Sequence, residues 1–165
     1  MYLCMRNLFR DIIIAFTTFV MFASCNSNVI YDDSQTIKHS KWDMQDKKSF
    51  IVNINEDDTK WTYNFAINLR NTTDYKYNNI YFFVTTIFPD GSITKQDTVE
   101  CILANDDGTW KGKGNADIKD NRFWFAKNVK FPQKGQYVFK LTQATKDTIL
   151  VGIKDVGLHI EKQPL

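Results

Sequence analysis

Tyr63-Asn64-Phe65-Ala66-Ile67-Asn68-Leu69-Arg70 is the stretch that decides the fold. Tyr63, Phe65, Ile67 and Leu69 alternate with Asn64, Ala66, Asn68 and Arg70. Side chains of a strand point alternately to its two faces, so this period of two reads as a half-buried strand. Asn71-Thr72-Thr73-Asp74 follows it as a turn.

The same pattern continues outward. Phe50, Val52 and Ile54 alternate with Ile51, Asn53 and Asn55. Ile80 to Phe88 is apolar or aromatic on both faces and reads as a central strand. Pro89-Asp90-Gly91 turns the chain, because Pro presets φ and Gly tolerates positive φ. Ile93–Ile102 returns, and Asn105-Asp106-Asp107-Gly108 makes another turn. Phe123–Phe131 is rich in aromatics and is closed by Pro132-Gln133-Lys134-Gly135. Tyr137, Phe139 and Leu141 alternate next, and Val156, Leu158 and Ile160 alternate with Asp155, Gly157, His159 and Glu161. A helical turn is expected only in Asn115–Asn121. Short strands separated by Gly, Pro and Asp turns predict one all-β domain over residues 47–162. Its form is an antiparallel β-sandwich, immunoglobulin-like or jelly-roll-like.

Upstream of that domain the chain changes character. Arg6 and Arg10 precede an apolar stretch from Ile12 to Ala23, and Phe22-Ala23-Ser24-Cys25 ends it. A basic start, an apolar core and small residues make a secretory signal peptide, here residues 1–24. The apolar run is about twelve residues, too short for the roughly twenty that a spanning helix needs. Met5 serves as a start as well as Met1 does. Cys25 stands where a bacterial lipobox places its acyl acceptor. The expected mature chain begins at a lipidated Cys25, with a polar tether to residue 46 in which Val29-Ile30-Tyr31 adds at most a short edge strand. Acyl chains on Cys25 are then the predicted membrane attachment, and several chains hold far better than one.

Loss of the leader takes away Arg6, Arg10 and Asp11 and lowers the net charge of the 165-residue chain from +2 to +1. A near-neutral chain lacks the clustered basic face that nucleic acid requires. Cys4 departs with the leader and Cys25 is acylated, so Cys101 is left without a disulfide partner. It lies in the apolar run Thr98–Leu103 and reads as a small buried hydrophobe.

The residues yield little chemistry. There is no H-E-x-x-H, no C-x-x-C and no G-x-S-x-G. Gly108-Thr109-Trp110-Lys111-Gly112-Lys113-Gly114 has the wrong spacing for a phosphate loop and reads as a tight turn or bulge beside a strand. His39 and His159 read as solvated. Asp57-Asp58 and Asp106-Asp107 have the oxygens for Ca²⁺ but no EF-hand spacing, so they read as acidic turns. No catalytic residue, metal or cofactor is expected. The candidates for contact with a partner or a sugar are aromatic: Trp124, Phe123, Phe125 and Trp110, with core packing the competing reading of each.

Several stretches together resemble the gliding-motility-associated lipoprotein GldH family of Bacteroidetes. They are Val29-Ile30-Tyr31-Asp32, Ile67-Asn68-Leu69-Arg70-Asn71, Tyr75 to Val84, Phe88-Pro89-Asp90-Gly91, the 108–114 segment, Asn128-Val129-Lys130-Phe131-Pro132, and Asp155 to Glu161. The resemblance implies a non-catalytic, lipid-anchored envelope protein supporting the gliding apparatus, whose core overlaps with type IX secretion. It implies other envelope proteins as partners and supplies no catalytic residues. The alternative is a carbohydrate-binding outer-membrane lipoprotein. Cys25 is followed by Asn26-Ser27-Asn28-Val29-Ile30 rather than by acidic residues, which favours an outer-membrane position facing the periplasm. Asp97-Thr98-Val99 and Asp147-Thr148-Ile149 resemble the Asp-(Ser/Thr)-aliphatic acceptor used for O-glycosylation in the same bacteria, with Thr98 and Thr148 as acceptors.

Overall fold

A computed structural model describes residues 28–114 and 116–163. The leader, Cys4 and Cys25 lie outside the described residues. The strands are β1 (Val29–Thr36), β2 (Lys41–Asp43), β3 (Lys48–Ile54), β4 (Tyr63–Thr72), β5 (Asn79–Ile87), β6 (Asp97–Ile102), β7 (Ile118–Val129), β8 (Gly135–Gln143), β9 (Ile149–Val151) and β10 (Ile153–Lys162).

Their pairing is nested. β1 pairs with β10, β2 with β9, β3 with β8, β4 with β7 and β5 with β6, all antiparallel. The chain is therefore one long hairpin, with its tip at the β5–β6 turn, rolled over on itself. Rolling adds the β10–β4 and β8–β5 ladders and gives two four-stranded sheets, β1-β10-β4-β7 and β3-β8-β5-β6, with β2-β9 as a small separate ladder. The all-β sandwich of the sequence reading is present. Two sheets of four built from nested pairs are a jelly roll and not the four-plus-three arrangement of an immunoglobulin constant domain.

The inner faces close on an aromatic core. Phe65 of the first sheet meets Phe139 of the second at 5.6 Å between ring centroids, and Phe131 contacts Phe65 at 5.7 Å and Tyr137 at 4.9 Å. Phe65, Ile67 and Leu69 are all buried, as the alternation in β4 predicts. Cys101 is fully buried, and burial pushes its thiol up to about 12.

Three local expectations change. Residues 29–43, assigned to the tether, supply β1 and β2, and Trp42 is fully buried with its indole N–H donating to the Asp46 carbonyl at 2.8 Å. Residues 118–121 open β7 instead of forming a helical turn. β4 is covered on both faces, since Asn64 and Ala66 are buried along with the odd-numbered set. It lies inside its sheet between β10 and β7, and the side chains of those neighbours close over its outer face.

Candidate functional site

The outer face of β1-β10-β4-β7 carries the polar chemistry of the domain. Strand register sorts it into rows. Asp32, His159, Ala66 and Trp124 face one another across the four strands. The next row is Ser34, Gly157, Asn68 and Arg122, and the third is Thr36, Asp155, Arg70 and Asp120.

Hydrogen bonds tie the first two rows together. His159 Nδ1 is 3.0 Å from Asp32 Oδ2. Asn68 donates to Asp32 Oδ1 at 2.9 Å, and Arg122 Nε donates to Asn68 Oδ1 at 2.8 Å. The other ring nitrogen of His159 faces Arg122 at 3.4 Å and Glu161 at 3.5 Å. Trp124 meets the imidazole at 5.7 Å in an edge-to-face arrangement. His159 is 2% exposed, so the expectation of a solvated histidine is corrected. β10 lies between β1 and β4, and Trp124, Arg122, Asp32 and Glu161 enclose the ring. His39 is exposed.

The third row is an ion-pair line. Arg70 Nε donates to Asp155 Oδ2 at 2.8 Å, and Thr36 donates to Asp155 Oδ1 at 2.7 Å. Asp155 is buried and thus has a partner for each oxygen, as a buried charge requires. Gly157, in the row between, has no room for a side chain: a Cβ there would lie 2.6 Å from the Asp33 carbonyl. Its bare backbone lets β1 close against β10.

An open cleft of about 720 Å³ lies where this face meets the β6–β7 connection, between Arg70, Arg122 and Asp120 on one side and Lys111, Gly112 and Lys113 on the other. The connection turns through an Ala104–Trp110 bridge and runs beside the start of β7, where Lys113 pairs with Asp120. Gly112 permits the approach, because a Cβ there would fall 2.7 Å from Asn121 Oδ1. The 108–114 segment is thus a turn beside a strand, as its sequence suggests.

The structure separates the four aromatic candidates. Trp124 is 39% exposed on the outer face. Phe123 and Phe125 point inward and pack on the core, and Trp110 packs on the core from its bridge. Trp110 and Trp124 therefore do not form one platform. Thr98 is exposed on β6, an edge strand, and Thr148 is exposed just ahead of β9. Asp57 pairs with Lys60 and Asp107 accepts from the Thr109 backbone, as acidic turn residues do. Among the described residues no three His, Cys, Asp or Glu side chains are placed to hold one metal ion, since Asp32 and Glu161 lie at opposite nitrogens of His159. The second ring nitrogen of the His159–Asp32 pair faces Arg122 and Glu161, and among the described residues no hydroxyl or thiol is hydrogen-bonded to it.

Comparison with known proteins decides the lineage. A family model described as GldH lipoprotein matches residues 29–160. The chain belongs to the GldH lipoprotein family. That match runs from the first residue of β1 to Ile160 in β10 and so takes in every strand of the rolled hairpin. The Gliding motility lipoprotein GldH homolog of Christiangramia forsetii is 36% identical over 96% of this chain and 98% of its own. The Gliding motility lipoprotein GldH of Flavobacterium johnsoniae is 32% identical over 87% of this chain and 91% of its own. Among solved structures, an arabinose-bound α-L-arabinofuranosidase aligns over 83% of this chain but 23% of its own, at 10% identity and a TM-score of 0.37, which carries no argument.

Sequence reasoning singled out Trp124 on this face and missed the network under it. Asp32, Asn68, Arg70, Arg122 and Asp155 come from four separate strands. The available signal was the alternation of Asp155, His159 and Glu161 with apolar residues on β10.

Proposed function

We propose that this chain is a lipid-anchored envelope protein of the gliding-motility machinery that acts by contact and not by catalysis. The observation that carries the reading is Trp124, a large ring left 39% exposed beside Asp32, Asn68, Arg122 and His159, which hydrogen bonds hold in place. Exposed aromatics on rigid surfaces are the typical anchors of protein interfaces. Family membership and the names of the two relatives supply the gliding context. The finer reading has residues 1–24 removed and Cys25 acylated, with the domain at the outer membrane facing the periplasm, near components shared with type IX secretion. Thr98 and Thr148 are accessible for O-glycosylation in that setting.

Two experiments test it. Fatty-acid labelling of cells should mark the wild-type protein and leave Cys25→Ala unlabelled; label retained in the variant removes the lipoprotein reading. A photo-crosslinker placed at Trp124 in the native envelope should capture a discrete protein. Trp124→Ala should weaken recovery of that protein by about 2 kcal/mol of binding energy without unfolding the domain. An unchanged partner profile in a folded variant moves the contact elsewhere.

A further inference from the structure

We propose that the cleft beside β7 binds a carboxylate-bearing segment of the partner protein, in extended conformation, continuing onto Trp124. The inference rests on the contact reading above and adds the chemistry of what is contacted. Four cationic side chains, Arg70, Arg122, Lys111 and Lys113, line the cleft against two carboxylates, Asp120 and Asp155. Asp155 is already committed to Arg70 and Thr36. The two arginines are held in place, Arg70 by Asp155 and Arg122 by Asn68 and by an ion pair with Asp32 at 3.4 Å, so the surplus of positive charge comes from Lys111 and Lys113. An oriented guanidinium recognises a carboxylate through its remaining N–H groups at little further entropic cost. Lys111 and Lys113 are exposed, and neither takes part in an ion pair among the described residues.

An extended ligand follows from the strand beside the cleft. β7 ends its sheet, and the β6–β7 connection covers its open edge through the Lys113–Asp120 bridge. Past that bridge the strand continues with an edge that pairs with no other strand among the described residues, the template on which a partner strand adds. Asp120, Arg122 and Trp124 project from the same face at every second residue, so a ligand strand would meet a charge and then a ring about 7 Å further on. A partner with carboxylates followed by an apolar side chain fits that order. Complementary charge would also speed its encounter, with an effect that salt removes.

The test uses the full-length protein in detergent and a fluorescent peptide Thr-Glu-Thr-Glu-Thr-Val-Thr, whose two glutamates and valine share one face of a strand, with the peptide carrying glutamine in place of both glutamates as control. The glutamate peptide should bind about tenfold more tightly, and raising the salt should erase the difference. Lys111→Gln with Lys113→Gln should weaken it about fivefold while leaving the thermal melt unchanged, since both lysines are exposed. Gly112→Val, which keeps every charge but pushes the lysine arm away from Asn121, should weaken it too. Equal binding of the two peptides, no binding of either, or indifference to the lysine pair overturns the inference, as does capture of phosphatidylglycerol vesicles in place of the peptide. If Trp124 crosslinks its partner equally well in the double-lysine variant, the cleft falls and the contact reading stands.

Discussion

β10 has two faces that are equally sheltered and unlike in kind. Val156, Leu158 and Ile160 point inward and are 0% exposed. Asp155 and His159 point outward and are 6% and 2% exposed. Burial is similar, but its energetic content is not. The inner face gains from apolar area removed from water. The outer face must first replace the water its polar groups lose, so its net gain is small and its effect is to fix geometry. One face holds the domain together, and the other holds a surface in shape.

The sharpest way to break that contrast is a cavity. Ile67→Ala, fully buried on the inner side of β4, should cost about 2–5 kcal/mol in a urea melt. Asp155→Ala on the outer side should cost less, about 1–2 kcal/mol, because Arg70 is half exposed and water takes over its lost bond. If Asp155→Ala proves the more damaging, the outer face is a second source of stability and the contrast is wrong.

The inner side can also be probed without making a hole. The unfolded Cys101 thiol titrates near its ordinary 9.0, while burial holds the folded one at about 12. Above pH 9 the unfolded chain therefore binds fewer protons than the folded one. Stability is full below pH 9 and falls as pH rises toward 12, by about 1 kcal/mol between pH 9 and 10 from this group. Cys101→Ala should remove that part of the slope, and an identical slope in the variant would place the thiol in contact with water.

Asn68→Ala, which breaks bonds to Asp32 and Arg122 at a partly exposed site, should cost about 0.5–1 kcal/mol. Trp124→Ala should shift the melt least, by about 0.5 kcal/mol, as exposed substitutions do. A larger loss would show that its edge-to-face contact with His159 matters to the fold.

The sequence made the inner face legible and the outer face obscure, for a physical reason. β4, β8 and β10 each bury a continuous apolar side, and alternation reports that directly. β1 is an edge strand whose Asp32, Asp33 and Ser34 are exposed, so its composition matches that of a linker. The start of β7 is polar and follows a turn-rich segment, which hides a strand behind a local helical option. The outer network depends on register between distant segments: Asp32 and His159 are 127 positions apart. No local pattern carries that information. Alternation alone says that Trp124 and its neighbours Phe123 and Phe125 face opposite ways; the β4–β7 ladder is what turns Trp124 outward.

The nested pairing also sets a clock. β10, the last ten-residue strand of the chain, sits between β1 and β4 in its sheet. A chain that stops short of Ile153 leaves β1 without its ladder and β4 with one neighbour instead of two. One wall of the barrel-like roll therefore cannot be assembled from a partial chain, and closing it joins segments at opposite ends of the polypeptide, the slow kind of contact. A chain emerging from its N-terminus would hold that wall open until β10 had emerged, with that strand acting as the latch.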